Sequence, residues 1–363
     1  GLPTGTCATA ATVAAVWKAL DDNTPDTFPV LLPEGEILTI PARPTERILS
    51  ADGKTVIASA FTVKDAGDDP DITNGMTIET RVTLHLSSVA TSTTPLSIHI
   101  DGGCGVGRVT LPGLGIEVGQ AAINATPRRM IENSIRHLLH SLPMKANPVS
   151  IDVLISVPGG EEIARRTFNP RLGIEGGISI IGTSGIVKPF STDAFIRSIA
   201  KSMEVARATG SPRVVINSGA KSERFVRAYY PELPPQAFVH YGNFIGETLK
   251  LADSLKVPRI TLGVMIGKAV KLAEGYLDTH SRQVTMNRNF IISKAREAGC
   301  GENVCTRIDS ITLARELWDL IPASLLPTFT QTVIDHCHHH CAPLLPHGEL
   351  TILLISEDGR IYV

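Results

Sequence analysis

The rhythm of apolar residues changes once along this chain, and that change limits the folds open to it. From residue 28 to residue 100 the runs VLLP, EILTIP, TVIASAFTV, MTIETRVTLHL and LSIHI follow one another, and the fourth alternates with period two. No long helical pattern interrupts them, so the segment predicts a mostly antiparallel sheet with the alanine-rich N-terminal helix packed on it. After Ile178 the pattern becomes strand and helix in turn: a helix over 191–209, the strand SPRVVINSG, the helix KSERFVRAYY, the strand QAFVHYG, a helix over 242–255 and the strand PRITLGVMIG. This predicts a Rossmann-like parallel α/β domain whose ligands lie beyond the C-terminal strand ends. A chain of 363 residues is long for one core. The expected division is an α+β domain over 1–175, with Gly-rich and acidic loops, and a parallel-sheet α/β domain over 176–363.

Several stretches carry side chains suited to chemistry. Residues 169–189, NPRLGIEGGISIIGTSGIVKP, place a Gly-rich turn (Gly173, Gly176, Gly177), an apolar run and a second Gly-rich turn (Gly182, Gly185) ahead of a helix. Glycines at a strand end let a ligand approach backbone amides, Thr183 and Ser184 add hydroxyls and Lys188 adds a cation, although such turns also serve tight packing. Asn217, Ser218 and Gly219 end another strand, and residues 241–243 a third, as candidates for holding a nucleoside. The loop DAGDDPDITNG at 65–75 gathers four carboxylates and reads as a solvated turn, a metal loop or a functional acidic loop; its spacing is not that of an EF-hand. Residues 102–115, GGCGVGRVTLPGLG, lack the dinucleotide fingerprint, leaving a loop that carries Arg108 to a ligand or a hairpin cluster.

Arg128 and Arg129 fall in the first turn of a helix over 125–142, where cations oppose the macrodipole, so they face an acidic group or pair with Glu132. Arg165, Arg166 and Arg171 cluster beside the Gly-rich turns, and a guanidinium fork suits carboxylates. Thr4 or Thr6 can cap the first helix, or bind an anion at its start. Lys268, Lys271 and His280 bracket one helix and suit an acidic ligand, while a lone histidine is more often a satisfied loop residue. In the run from His336 to Cys341 only the i, i+4 pairs share a helix face, which leaves any single metal site incomplete, and no metal is assigned.

With 34 basic against 36 acidic residues, the chain has no broad basic field for nucleic acid, so anionic ligands must meet local clusters. Six cysteines in a long chain without a secretory signal point to a reducing cytoplasm, and no apolar run reaches membrane-spanning length. Apolar α/β surfaces allow a homo-oligomer.

Four stretches, PTGTCATAA at the start, DAGDDPDITNG, NPRLGIEGGISIIGTSGIVKPFS and IGKAVKLAEGYLDTHS at 266–281, closely resemble in that order the CbiD family, the cobalt-precorrin-5B C1-methyltransferases of anaerobic cobalamin synthesis. Pro3 departs from an expected threonine, and Thr285 and Asn289 from expected acidic residues. The resemblance implies methyl transfer from S-adenosylmethionine to a tetrapyrrole that carries its own cobalt. On that expectation the donor lies at Gly182, Thr183, Ser184, Gly185, Asn217, Ser218 and Gly219. Arg108, Arg128, Arg171, Lys188 and Lys268 take substrate carboxylates, Thr6, Asp69, Asp71 and Asn74 complete the substrate site, and His280 or Asp68 assists proton transfer. The competing class is a non-catalytic corrinoid or cobalt carrier using the acidic loop and the His/Cys run. An oxidoreductase is disfavoured by the missing fingerprint.

Overall fold

The computed structural model describes residues 1–87, 95–143, 147–182, 184–187, 192–280 and 284–363. Two compact units divide it, Gly1–Ser191 and Thr192–Val363.

In the first unit, helix α1 (Thr4–Leu20) is buried along almost its whole length, with the side chains from Thr4 to Val16 at most 3% exposed. Its alanines, glycine and threonines make this feasible, since small side chains let neighbours approach from every side. The threonine hydroxyls need no outside partner: Thr9 Oγ1 donates to Gly5 O at 2.8 Å and Thr12 Oγ1 to Ala8 O at 2.7 Å. Helix α1 begins at Thr4 with Pro3 as N-cap, so neither Thr4 nor Thr6 caps it.

Strands β1 (Thr27–Leu31) and β2 (Ile37–Pro41) form an antiparallel hairpin. Strands β3 (Arg43–Leu49), β4 (Thr55–Val63), β5 (Thr77–Leu86) and β6 (Ser97–Gly102) enter a sheet ordered β3-β4-β5-β9-β6, in which β9 is Pro148–Ser156. Every pairing is antiparallel except β6 with β9. Alternate residues of β4 and β5 are buried, and their inward set (Val56, Ala58, Ala60, Ile78, Val82, Leu84) shares one core with α1 and with α2 (Ala125–Ser141). Strand β3 was not legible beforehand, because the edge strand RPTERIL is almost wholly exposed and polar.

Short strands β7 (Gly105–Val106), β8 (Arg108–Val109), β10 (Ile174–Glu175) and β11 (Gly177–Ile178), with helix α3 (Gly160–Ala164), knit the Gly-rich segments together. β11 pairs in parallel with β7 and β10 antiparallel with β8. Residues 176–187 therefore stay with the N-terminal unit, and the division falls at 191/192 instead of 175/176. The glycines are explained by backbone contact: a Cβ on Gly177 would lie 2.2 Å from Gly105 O, and one on Gly160 would meet the same oxygen at 2.2 Å.

The second unit alternates helix and strand: α4 (Thr192–Ala208), β12 (Val214–Asn217), α5 (Ala220–Tyr229), β13 (Phe238–His240), α6 (Ile245–Ser254), β14 (Arg259–Met265) and α7 (Ile266–Glu274). Helices α8 (Arg288–Glu297), α9 (Glu302–Ile308), α10 (Leu317–Leu320) and α11 (Leu326–Cys341) precede β15 (Glu349–Ile355) and β16 (Ile361–Tyr362). The sheet order is β13-β12-β14-β15-β16, parallel except for the last pair. Its central strands VVIN and RITLGVM are nearly continuous buried runs, as a sheet covered on both faces requires. One apolar cluster gathers residues of α4, α6, α7 and α11, and a smaller one is built on Val226 and Phe238. Among the described residues no helix is long and apolar enough to cross a membrane.

Candidate functional site

Three of the stretches singled out in the first unit meet at the start of α1. Leu2 N donates to Asp65 O at 2.7 Å, Gly5 N to Ile181 O at 2.9 Å, and Thr6 Oγ1 to Gly185 O at 2.7 Å. Thr6 is fully buried, and its hydroxyl is taken up by this bond within the unit. Gly182 and Gly185 are likewise packed: a Cβ would meet Pro3 at 3.3 Å on the first and Leu32 at 2.5 Å on the second. The expected strand at 178–181 is a two-residue pairing inside this unit, so the 182–185 turn does not leave a strand of the parallel sheet. Ser184 Oγ turns back to Ile186 O at 2.8 Å. Thr183 and Lys188 lie outside the described residues.

The acidic loop is organised by a buried cation that the sequence reading did not single out. Lys64, 2% exposed, pairs with Asp71 and donates to Thr73 Oγ1 at 2.6 Å. Asp71 Oδ1 also accepts from Thr73 N at 2.8 Å, and Asn74 Oδ1 accepts from Ala66 N at 2.9 Å. Burial raises the Asp71 carboxyl, but hydrogen bonds from Lys64 and Thr73 outweigh it and leave the group below its usual range. A depressed folded value means stability that is present above the unfolded carboxyl value and lost as pH falls through the folded one. Wild type is therefore expected to lose stability below about pH 4 more steeply than Asp71→Asn, measured by urea unfolding across that window. Asp68 is exposed and Asp69 half-buried in the same loop.

Arg128 is a structural clamp, contrary to the carboxylate-binding expectation. Its Nε donates to Ile123 O at 2.9 Å, Nη1 to Ile100 O at 3.0 Å and Nη2 to Ala121 O at 3.3 Å, so the guanidinium is turned onto backbone carbonyls. Arg108 pairs with Asp101 at 2.9 Å and donates to Gly102 O and Gly119 O. Arg171 is half-buried in a 3-10 turn, Asn169–Leu172.

A different kind of site occupies the C-terminal strand edge of the second unit. Asn217, the last residue of β12, is fully buried; its Oδ1 accepts from Gly219 N at 3.1 Å, while Nδ2 has no hydrogen-bond partner among the described residues. A buried amide donor left open is costly, so the place is built for an acceptor. Gly219 has φ +159° and ψ −165°, a region essentially confined to glycine, and a Cβ there would meet nothing within 4 Å. Ser222 Oγ, in the first turn of α5, accepts from Ser218 N at 3.2 Å and holds this loop in place. The buried Glu223 carboxylate receives His240 Nε2 at 2.8 Å and Arg227 Nε at 3.0 Å, joining α5 to the end of β13.

At the neighbouring tips, Tyr241 N donates to Asn217 O at 2.8 Å. Lys268 Nζ, from the first turn of α7, donates to Gly242 O and to Asn243 Oδ1 at 2.7 Å. Thr279 N closes the group by donating to Asn243 O at 3.1 Å, and His280 N donates to Asp278 Oδ1 at 3.1 Å. The structure thus brings Asn217, Ser218 and Gly219 to the same sheet edge as Lys268. Asn243 belongs to the 241–243 strand end expected from the sequence, whereas Thr279 is a site member that the sequence did not mark, since a short polar residue in a turn carries no signal of its own.

The His/Cys run lies on α11 with its side chains divided. Cys337 and Cys341 are buried, and burial pushes the Cys341 thiol up to about 12. His336 Nδ1 bonds Thr332 O at 2.9 Å and its Nε2 lies 3.0 Å from Lys294 Nζ. No cluster of metal-ligating side chains occurs among the described residues.

Residues 1–189 match the family model described as CbiD, and residues 278–363 match that described as CbiD, C-terminal domain. A cobalt-precorrin-5B C(1)-methyltransferase of Prosthecochloris aestuarii is 42% identical over 363 residues, covering 99% of this chain and 95% of the relative. One of Geobacillus thermodenitrificans is 39% identical over 337 residues, covering 93% and 86%. A crystal structure of the cobalamin biosynthesis protein (cbiD) from Archaeoglobus fulgidus matches at 25% identity over 82% of this chain and 83% of that chain, with a TM-score of 0.36.

Proposed function

The chain belongs to the CbiD family, and from that premise we propose that it is a methyltransferase that methylates C1 of cobalt-precorrin-5B, with S-adenosylmethionine as donor, in cobalamin biosynthesis. The observation that carries this is identity of 42% to a relative of that name across nearly the full length of both chains. Cobalt enters as part of the substrate. A reducing cytoplasm is the proposed setting.

The second unit is proposed to be Rossmann-like and to hold the donor. Its strand order makes β12 and β14 the point where the direction of winding reverses, and open α/β sheets take ligands at the C-terminal ends of such strands. The residues there fit a nucleoside: Asn217 Nδ2 offers an unused donor, Ser218 a hydroxyl, and Gly219 leaves free the volume that any side chain would fill. The chemistry supplied by the bound donor is an electrophilic methyl group on a sulfonium. The chain's own part is to hold and orient the ligand against the accepting carbon and keep water out. His280 or Asp68 is proposed for proton transfer and Arg171 and Lys188 for substrate carboxylates, while Thr6 and Arg128 are engaged by backbone carbonyls.

Incubation with methyl-labelled S-adenosylmethionine and cobalt-precorrin-5B is expected to put label in the macrocycle and release S-adenosylhomocysteine in equal amount. Binding of the macrocycle without transfer of label would instead identify a carrier.

A further inference from the structure

On the reading that the second unit holds the donor, we propose that Lys268, in the first turn of α7, takes the carboxylate of the donor's amino-acid tail. Three independent deficits in one place call for an anion. The first is the lysine itself: its partly buried ammonium bonds only neutral acceptors, Gly242 O and Asn243 Oδ1, and no carboxylate lies within ion-pair distance among the described residues. A second cation, Lys271, follows on the same helix and donates to Thr279 O at 3.4 Å. Burial first, then Lys271, lowers the Lys268 ammonium to about 8 against the opposing pull of Asp278, so an arriving carboxylate would favour the charged form.

The second deficit is the hydroxyl of Thr279. The residue is 2% exposed and its Oγ1 has no hydrogen-bond partner among the described residues. Its own backbone fixes it in this cluster, through Thr279 N to Asn243 O and Lys271 Nζ to Thr279 O. The third is the start of α7. Its N-cap, Met265, offers no side-chain acceptor to the first-turn amides, and a Cβ on Gly267 would meet nothing within 4 Å, so the helix start is approachable. First-turn amides and an ammonium together suit a carboxylate.

Position favours the donor's carboxylate over one from the macrocycle. β12 and β14 are adjacent and parallel, with Ile216 opposite Leu262, so the open amide of Asn217 and the start of α7 stand at the ends of neighbouring strands. Tyr241 joins them, its N donating to Asn217 O and its ring centroid 5.7 Å from Lys268 Nζ. A nucleoside at Asn217 with a short charged tail matches this layout.

The full chain should be titrated calorimetrically with S-adenosylhomocysteine and with its decarboxylated counterpart, which keeps adenosine, sulfur and amine. Lys268→Met is expected to weaken S-adenosylhomocysteine by about 10- to 100-fold and the decarboxylated ligand by less than about 2-fold, while Lys268→Arg retains most of the affinity. Equal loss for both ligands, or loss for neither, overturns the assignment. So does loss confined to cobalt-precorrin-5B, which would give the lysine to a macrocycle carboxylate. A wild-type chain that binds no S-adenosylhomocysteine removes the donor site itself, a result distinct from wild-type binding that Lys268→Met leaves unchanged.

Discussion

Gly219→Val is expected to weaken S-adenosylhomocysteine binding by about 100-fold or more while the far-ultraviolet spectrum stays that of the wild type, because strain of this kind costs only about 1–3 kcal/mol. Nothing stands within 4 Å of the new Cβ, so there is no clash to unfold the unit; the damage comes from backbone conformation and from lost volume. A residue that leaves φ +159° must tilt its amide, and that amide is donated to Asn217 Oδ1 at 3.1 Å. The same carboxamide presents the open Nδ2, so its aim changes with the loop. Gly182→Val makes the control. Its Cβ would press on Pro3 at 3.3 Å, so it is expected to lower the melting temperature and leave the affinity of the folded protein unaltered. Unchanged affinity in Gly219→Val would exclude this loop from the donor site.

The second large effect is one of stability. Arg128→Met is expected to destabilise the first unit by about 3–5 kcal/mol, since the substitution leaves three backbone carbonyls without their charged donor. In a unit of this size that corresponds to a fall of roughly 10 °C in melting temperature, readable by calorimetry. The carbonyls belong to Ile100 at the end region of β6 and to Ala121 and Ile123 ahead of α2, so one side chain ties a strand, a loop and a helix together. A substrate-binding arginine would behave in the opposite way, raising KM with little change in melting temperature.

Periodicity disclosed the skeleton. TVIASAFTV is β4 residue for residue, and the alternation after residue 192 is the parallel sheet, because both patterns are written in side chains whose burial follows a simple period. Glycine is harder to read. Gly177 and Gly219 look alike in a sequence, yet one is small because Gly105 O presses against it and the other has empty space before it. Arg128 posed a similar difficulty, since the carbonyls that occupy it have no identity in the one-letter text. Nothing in TVKDAG marks Lys64 out, yet the fold buries it beside Asp71. What was legible at the site was its position at a strand end, at Asn217. What was not was Thr279, nor that tertiary contact gathers it with Asn243 beside Lys268.

The bond from Thr6 Oγ1 to Gly185 O joins residues 179 positions apart, and α1, which carries Thr6, is encased by its unit. The helix thus has to wait, unsheltered, for segments made much later than itself before it can be seated. Topology of this kind makes folding slow and leaves the nascent chain open to aggregation, so assembly of the unit should track completion of synthesis past the second Gly-rich turn.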